Sequence, residues 1–513
     1  MSLESAGVEV LSFEPVPDEI LIAGVWKQGS GAETTVIDPA TGKALQMVSA
    51  ATVDDVDTAV TQGAAAAADP AWRDLLPHQR ARYLHRIADA IEREAERLAS
   101  LQSHNTGKTL SETRGLVASA AGTFRYFAAV LETADADLTA PRGDYQTLSL
   151  YEPIGVVGAI APGDSPVARA AQKIAPALAA GNAVVLKPAE WTPLVSLALA
   201  RLIDETGLPS GLLSVLTGRG SVIGDAIVRH PGVGKVTFTG GTTTGRTLAH
   251  LAAEKLMPIS LELGGKSPTI VLDDADLDLA VNGVMYGIFS STGQSCIAGS
   301  RLFVHDSVYD EFLDRLIAKT KQLRVGPGQQ PGVQVGPLVH HKHRDAVARY
   351  VDLAVAEGGR VRCGGTIPDD PALADGAYYL PTVIDGLLND AQVCQEEIFG
   401  PVLVALRFTD ERDLIEQAND SVYGLAAGIW SNDYRRALRL ARRLQAGTVW
   451  INTYKQFSIS TPFGGVKESG LGVEKGRAGI AAYSRQKSVY LGMGTEPNPW
   501  AEAAAPPVRG SGS

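Results

Sequence analysis

The sequence predicts an α/β protein with a doubly wound parallel sheet, a second α/β domain and a small additional β element. Two observations lead to this prediction. Short apolar runs of strand length alternate with helical stretches after residue 155, and a second alternation of the same kind begins after residue 262. A chain of 513 residues with 45% hydrophobic residues also has enough apolar material for about three domains.

The part of the chain before the first alternation is predicted to be helical. Residues 53–135 have alanine-rich faces, and within residues 80–101 apolar side chains recur near helical spacing. The first alternation then offers strand candidates at residues 156–160, 183–186 and 235–238, and a helix is predicted over residues 167–178. Because helices separate these strands, we expect the strands to run parallel.

The second alternation has strand candidates at residues 269–272, 302–304, 402–405 and 448–451. Residues 138–151 and 488–491 lie outside both alternations and are predicted to form a peripheral β element. The last residues, 501–513, are mostly small, and we expect them to form a mobile tail.

Charge and composition disfavour several classes of protein. The net charge of −11 argues against nucleic acid as the main partner. No apolar run reaches the roughly 20 residues that span a bilayer, and the acidic start is unlike a signal peptide, so we expect a cytoplasmic protein without a membrane partner. Three cysteines without framework spacing disfavour disulfides, and the histidines at 340–343 indicate a helix start rather than a metal site, so no metal is expected.

Cys296 is the main candidate for a reactive residue. It lies among small residues in GQSCIAGSR, 34 residues after Glu262 of the segment ELGGKSP. A thiol paired with a carboxylate is typical of a nucleophile and its general base. A buried structural thiol is the alternative for an isolated cysteine. The flanking motifs favour the nucleophile.

These motifs and their spacing resemble the aldehyde dehydrogenase superfamily, and the resemblance extends over residues 20–495. It implies that Cys296 attacks an aldehyde and carries first a hemithioacetal and then a thioester, with Glu262 as the base. Branches that transfer the acyl group to coenzyme A generally lack this glutamate, so the resemblance implies hydrolysis to a free acid. Lys173 and Glu474 match a pair that the family uses for proton movement or positioning, and a structural ion pair is the alternative.

A second group of motifs resembles the dinucleotide site of the family. The segment FTGGTTTG at residues 238–245 follows a strand candidate and precedes a helix, so its backbone can approach a pyrophosphate. Glu190, just after Lys187, is placed to bind ribose hydroxyls and to repel a 2′-phosphate, which favours NAD over NADP. The residues expected to bind the cofactor are Ile160, Pro162, Lys187, Glu190, Gly220, Phe238, Gly240, Gly241, Thr244, Gly245, Leu263, Glu397 and Phe399.

The resemblance also implies a domain organisation. Residues 1–133 and 152–261 are expected to form the dinucleotide-binding domain, and residues 262–464 the catalytic domain. Residues 134–151 and 480–498 match an element that builds a homodimer or a homotetramer in the family. A peripheral hairpin without an assembly role is the alternative.

One position departs from the family pattern. Most relatives have an asparagine that donates to the developing oxyanion, whereas this chain has Asp164 in the segment PGDSP. An ionised aspartate cannot donate, and loss of one such donor costs roughly two to three orders of magnitude in rate. The alternatives are a protonated Asp164 that donates, an oxyanion held by the Cys296 N–H alone, or much reduced turnover. A thiol esterase or a low-turnover, cofactor-binding relative is therefore the alternative function.

The segments that line the substrate tunnel in the family contribute Arg169, Gln172, Tyr454 and Phe457 here. Arg169 and Gln172 are polar where relatives for aliphatic aldehydes have apolar side chains. This indicates a carboxylated or otherwise polar aldehyde. An ion pair between Arg169 and Asp164 is the competing interpretation.

Overall fold

The structure is a computed structural model that describes residues 16–136, 138–495 and 500. The predicted tail at 501–513 lies outside these residues, and so do residues 1–15, 137 and 496–498 of the predicted domains.

The amino-terminal part begins with four short strands and continues with a run of helices. The strands are β1 (Ile20–Ile22), β2 (Val25–Lys27), β3 (Thr34–Ile37) and β4 (Ala44–Val48). The helices are α1 (Val53–Ala68), α2 (Pro70–Arg73), α3 (Pro77–Arg93), α4 (Ala95–Thr106) and α5 (Leu110–Glu132). The helical pattern over residues 80–101 is thus divided between α3 and α4.

Two further strands precede a regular alternation of strands and helices. They are β5 (Leu138–Thr139) and β6 (Tyr145–Pro153). The alternation comprises β7 (Val156–Ile160), α6 (Pro166–Ala179), β8 (Ala183–Lys187), α7 (Leu194–Glu205), β9 (Leu213–Val215), α8 (Asp225–Arg229), β10 (Val233–Thr239), α9 (Thr242–Ala253) and β11 (Ile259–Glu262).

The remaining chain forms a second alternation and returns to the first sheet. Its elements are β12 (Pro268–Val271), α10 (Leu277–Phe289), β13 (Arg301–His305), α11 (Asp306–Thr320), α12 (His341–Ala356), β14 (Arg360–Cys363), β15 (Thr382–Asp385), α13 (Gln392–Gln395), β16 (Val402–Phe408), α14 (Glu411–Asn419), β17 (Ala426–Trp430), α15 (Tyr434–Ala441), β18 (Thr448–Ile451), β19 (Gly470–Leu471), α16 (Ala478–Ala481) and β20 (Ser484–Gly492).

The first sheet is a doubly wound parallel sheet with antiparallel strands at its edges. Its order is β19, β11, β10, β7, β8, β9, β1, β2, and the five strands from β11 to β9 run parallel. Every residue of β7 and β8 is buried because helices cover both faces of the sheet. The predicted parallel sheet is confirmed.

The second sheet has the order β14, β15, β16, β13, β12, β17, β18, and only β14 pairs antiparallel. The predicted second α/β unit is therefore also confirmed. A separate three-stranded antiparallel sheet of β20, β6 and β5 joins the two peripheral segments that the sequence singled out. A two-stranded sheet of β3 and β4 was not predicted.

Candidate active site

The carboxyl ends of the central parallel strands meet at one edge of the first sheet. In this register Ile160 at the end of β7 lies opposite Lys187 of β8 and Phe238 of β10, and β11 ends at Glu262. Residues that follow these strands therefore gather at one edge, where open α/β sheets bind their ligands. The segment after β10 leads directly into α9, whose first N–H groups favour an anionic group.

A cavity of about 640 Å³ opens at this edge, and residues of both alternations line it. Twelve of the thirteen residues expected to bind a cofactor are among its walls: Ile160, Pro162, Lys187, Glu190, Gly220, Phe238, Gly240, Gly241, Thr244, Leu263, Glu397 and Phe399. The same cavity exposes Cys296, Glu262 and Asp164. One space therefore brings together most of the residues that the sequence singled out.

Gly245 is the exception, because it does not line the cavity. A Cβ at this position would lie 2.4 Å from a methyl carbon of Leu263. Gly245 therefore allows α9 to pack closely against Leu263, which itself lines the cavity. The structure thus shows a packing role for Gly245, and its contact with a cofactor stays a prediction.

The glycines of the cavity wall leave room for a ligand at the backbone. A Cβ at Gly220 or at Gly241 would meet no atom within 4 Å, so both face open space. A Cβ at Gly240 would lie 2.5 Å from the Phe238 ring. This open glycine surface at the start of a helix suits the pyrophosphate of a dinucleotide.

A carboxylate and two cations mark one end of the cavity. The Glu190 carboxylate lies 3.8 Å from the Arg219 guanidinium, whose side chain is 78% exposed. The Lys187 ammonium donates to the carbonyl of Pro188 at 2.8 Å, and burial lowers its pKa to about 8. Arg219 was not singled out from the sequence, because it lies in an irregular segment before a single π-helical turn.

Glu397 and Phe399 enter the cavity from the second alternation. Glu397 accepts a hydrogen bond from the Gly265 N–H at 3.2 Å, and burial raises the pKa of its carboxyl to about 7. Phe399 has a left-handed backbone with φ 56°, which is uncommon for an aromatic residue. Its carbonyl lies 2.7 Å from Nε2 of His343, so the start of α12 holds this turn in place.

Cys296 and Glu262 have strongly perturbed ionisation. Burial raises the pKa of the Cys296 thiol to about 12, although the charge of Arg169 opposes this shift. Burial and then the charge of Glu474 raise the pKa of Glu262 well above its ordinary value. One oxygen of the Glu262 carboxyl has no hydrogen-bond partner among the described residues. A carboxylate with a raised pKa is a stronger base than an exposed one, which suits a general base.

Lys173 and Glu474 form an ion pair behind the cavity rather than in its wall. The Lys173 ammonium lies 2.6 Å from the Glu474 carboxylate, and both side chains are almost fully buried. Thr237 and Thr239 of β10 complete the contacts of the ammonium at 3.1 and 2.8 Å. Burial alone would raise the pKa of Glu474, but the charge and hydrogen bond of Lys173 outweigh it and lower this pKa.

Asp164 lies in the loop between β7 and α6 and faces the cavity. Its carboxylate accepts a hydrogen bond from the Ser165 hydroxyl at 3.3 Å. No salt bridge joins Asp164 to Arg169 in the part of the chain that the structure describes. The direct ion pair considered from the sequence is therefore absent.

Arg169 turns toward the thiol instead. Its guanidinium donates to the Cys296 sulfur at 3.5 Å and to the side-chain carbonyl of Gln172 at 3.1 Å. Burial disfavours the charge, but the charges of Cys296 and Asp164 outweigh it and raise the pKa of Arg169. Arg169 can therefore stabilise a Cys296 thiolate directly.

The other two residues expected at the substrate tunnel have different surroundings. The Tyr454 hydroxyl donates to the carbonyl of Ile297 at 3.0 Å, and the side chain is buried beneath the segment that carries the thiol. Phe457 is 48% exposed and packs edge to face against Trp450 and Phe463. Tyr454 thus supports the loop, and Phe457 lies at the surface.

The sequence reasoning missed three lysines close to the thiol. Lys108 lines the cavity, and the charges of Lys108, Lys455 and Lys475 interact with Cys296. Lys475 directly follows Glu474, and this adjacency was the one available signal. Lys108 and Lys455 come from a helix end and a loop that are distant in sequence, so only the fold brings them together.

Two α/β units with a cysteine and a glutamate in a shared cavity are the arrangement of a thiol-dependent α/β oxidoreductase. The family model for the aldehyde dehydrogenase family matches residues 26–489. The chain belongs to this family, and it is an aldehyde dehydrogenase by that membership.

Individual relatives are similar over nearly their whole length. Phenylacetaldehyde dehydrogenase of Pseudomonas fluorescens is 43% identical over 485 residues, covering 93% of this chain and 96% of the relative. Betaine aldehyde dehydrogenase of Bacillus subtilis is 38% identical over 473 residues, covering 92% of this chain and 96% of the relative. The crystal structure of betaine aldehyde dehydrogenase from Staphylococcus aureus in complex with NAD⁺ superimposes with a TM-score of 0.93 at 36% identity, covering 94% of this chain and 97% of that chain.

Among the described residues, none of the helices combines the length and the hydropathy needed to cross a bilayer.

Proposed function

We propose that this protein oxidises an aldehyde to the carboxylic acid with NAD, through a hemithioacetal and a thioester on Cys296. The observation that carries the proposal is the shared cavity, which holds the thiol, the Glu262 carboxyl and twelve residues suited to a dinucleotide. Bound there, NAD supplies the acceptor for the hydride that leaves the aldehyde carbon.

The first step requires a thiolate, which burial disfavours. Arg169 stabilises the charge on sulfur, and Glu262 accepts the proton directly or through a water molecule. The Cys296 backbone N–H makes no hydrogen bond to any described residue, so it is available to an oxyanion at the attacked carbon. Asp164 lines the same cavity as Cys296 and, when ionised, cannot donate to this oxyanion.

The last step hydrolyses the thioester. Glu262 accepts a proton from the attacking water, because burial raises its pKa and makes the ionised carboxylate a stronger base. Lys173 and Glu474 lie behind Glu262, where their buried charges influence this proton affinity. The presence of Glu262 supports release of a free acid as the outcome.

NAD is favoured over NADP in this proposal because Glu190 lies at the end of the cavity that would hold the adenosine ribose. Residues 1–133 and 152–261 would form the cofactor domain, and residues 262–464 the catalytic domain. Residues 134–151 and 480–498 would join subunits of a homodimer or homotetramer. The exposed apolar side chains Leu138 and Tyr490 of the three-stranded sheet support this assignment.

Asp164 supports a second candidate function, a thiol esterase or a low-turnover relative that binds the cofactor. An aldehyde panel read by NADH absorbance distinguishes the candidates, with p-nitrophenyl acetate cleavage measured in parallel. NADH formation supports aldehyde oxidation, ester cleavage alone supports the esterase, and NAD binding without either supports the low-turnover relative.

Substitution of the nucleophile tests the covalent step. We expect Cys296→Ala to abolish aldehyde oxidation while NAD affinity, measured by calorimetry, stays within a few fold. The cofactor contacts come from other segments, so they should survive the change. Appreciable turnover by this variant would remove Cys296 from its proposed role.

A further inference from the structure

Four basic side chains surround the Cys296 thiol, and none of them forms an ion pair with a described carboxylate. They are Arg169, Lys108, Lys455 and Lys475, and the charge of each interacts with Cys296. Within the described residues, no carboxylate lies within 4.0 Å of any of these four cations. Buried cations in proteins normally have an anionic partner. Four basic side chains without a close carboxylate around a reactive thiol therefore indicate a ligand that carries a negative charge.

The surroundings of the lysines supply few polar partners. Lys455 donates to the hydroxyl of Ser290 at 2.8 Å, and burial lowers its pKa to about 7. Lys475 is 7% exposed and its ammonium makes no hydrogen bond with a described residue. Its ammonium lies over two aromatic rings, 4.2 Å from the ring centre of Phe457 and 5.4 Å from that of Phe463. Both lysines would gain from an anion nearby.

The backbone at two of these positions is unfavourable for lysine. Lys455 has φ 55° and Lys475 has φ 60°, which is the left-handed region that favours glycine and asparagine. Residues other than glycine and asparagine hold this conformation where the surrounding structure requires it. Both lysines are thus held in the site by backbone conformations that lysine seldom adopts.

The carboxyl groups near the thiol act on these side chains only from beyond ion-pair distance. Glu112 acts on Lys108 and Lys455, and it accepts hydrogen bonds from the backbone N–H groups of Ser291 and Thr109 at 2.5 and 3.0 Å. Glu474 acts on Arg169 and Lys475, but it is already paired with Lys173 at 2.6 Å. The four side chains therefore lack a close counter-charge among the described residues.

We propose that the substrate is an aldehyde that carries a carboxylate, and that Arg169, Lys108, Lys455 and Lys475 select it by its charge. The proposal rests on the aldehyde oxidation proposed above and names its substrate class. A cationic aldehyde would be repelled by the same cluster, and a neutral aldehyde would leave it uncompensated. Phe457 and Phe463 pack edge to face beside the Lys475 ammonium, so apolar surface adjoins the cluster.

The test compares aldehydes that differ only in charge. The pairs are succinate semialdehyde with its methyl ester, and 4-formylbenzoate with its methyl ester, and betaine aldehyde serves as the cationic probe. Values of kcat/KM come from NADH absorbance with NAD in excess. In at least one pair the carboxylate should exceed its ester by about 10- to 100-fold, the range expected for a charge-assisted contact. Betaine aldehyde should be the poorest substrate.

Variants that remove one basic side chain test whether this cluster causes the preference for the carboxylate. Arg169→Met, Lys455→Met and Lys475→Asn should each lower the ratio of carboxylate to ester activity, by about tenfold for the largest effect. The ratio is the informative quantity, because loss of thiol reactivity affects both substrates alike. Asn at 475 keeps the left-handed backbone accessible. Arg412→Gln, at an 81% exposed arginine on α14, removes the same charge far from the site and should leave the ratio unchanged.

The outcomes separate the two proposals. Oxidation of both methyl esters or of betaine aldehyde with efficiency equal to or above the carboxylates would overturn the charge selection and leave aldehyde oxidation standing. A preference that survives all three cluster variants would likewise overturn it. Absence of NADH from every aldehyde would overturn aldehyde oxidation itself, and the substrate class with it.

Discussion

At the scale of single residues, the proposed preference for NAD depends on the Glu190 carboxylate. It lies within 4 Å of Arg219, whose exposed guanidinium is free to move in solvent. A carboxylate that faces the ribose binds its hydroxyls and repels a 2′-phosphate, whereas an arginine beside it attracts the phosphate. The two side chains therefore act in opposite directions on cofactor choice.

Substitution of Glu190 tests its share of this selectivity. We expect kcat/KM with NAD to be well above kcat/KM with NADP. Glu190→Gln should lower this ratio because the repulsion of the 2′-phosphate is removed. The measurement is kcat/KM for the two cofactors at one saturating aldehyde. Arg219→Gln is the matched variant and should raise the ratio of kcat/KM with NAD to kcat/KM with NADP. Equal kcat/KM with NADP and NAD in the wild-type enzyme would contradict the proposed role of Glu190.

Asp164 carries the second prediction at this scale. If its ionised carboxylate opposes the oxyanion, Asp164→Asn should raise the acylation rate by up to about 10²-fold, because the amide donates where the carboxylate cannot. The rate of the NADH burst measures this step. Asp164→Ala removes the charge without adding a donor, so it should gain less than the asparagine variant. A loss of activity in Asp164→Asn at every pH would show that the carboxylate has a positive role.

At the scale of elements, α6 positions several of the side chains that act on the thiol. Arg169 and Lys173 are four residues apart, so they lie on one face of the helix. The first reaches the Cys296 sulfur, and the second reaches Glu474 and two threonines of β10. A single helix therefore links the thiol to the buried charges behind Glu262.

Breaking the buried pair should destabilise this region. Lys173→Met leaves Glu474 without its counter-charge, and such losses cost about 3–5 kcal/mol. Urea unfolding followed by fluorescence should show the loss as a lower midpoint. The double variant Lys173→Met with Glu474→Leu should recover most of it, since no unpaired charge remains. Equal stability of the single variant and the original protein would mean that the pair does not contribute to folding stability.

The same helix shows where sequence reasoning succeeded and where it could not. Apolar spacing predicted α6 and the strands around it, because burial imposes a period that local sequence records. Cys296 and Glu262 were found from the sequence because each lies in a distinctive short motif. Lys108 and Lys455 have no such pattern, and their convergence depends on packing between segments that are far apart in the chain. The close packing of Gly245 against Leu263 was likewise not predicted, because it depends on how α9 lies in the fold.

At the scale of the whole molecule, the three-stranded sheet stands apart from the two parallel sheets. β6 and β20 pair over nine residues, and all the described pairs are antiparallel. Exposed apolar side chains on these strands include Leu138, Tyr151 and Tyr490, at 65%, 49% and 68% exposure. Such surfaces on a small peripheral sheet are typical of contacts between subunits.

Disruption of this surface should reduce the size of the assembly. The double variant Leu138→Lys with Tyr490→Lys should shift the mass measured by light scattering from a dimer or tetramer toward the monomer, because lysines oppose edge and face contacts. Leu256→Lys is the matched control, since Leu256 is 91% exposed and lies outside this sheet. A monomeric wild-type protein would contradict the proposed role of the three-stranded sheet in assembly.

The covalent mechanism with Glu262 as the hydrolytic base is the central claim, and stopped-flow measurement of NADH formation by Glu262→Gln tests it most directly. We expect a burst approaching one NADH per site followed by a much lower steady rate, because acylation continues while hydrolysis loses its base. In the original enzyme the hydrolysis rate should rise with pH through the raised pKa of Glu262, since only the deprotonated form accepts a proton, and the variant should lack this rise. Equal loss of burst and steady rate, or an unchanged pH dependence, would contradict the account.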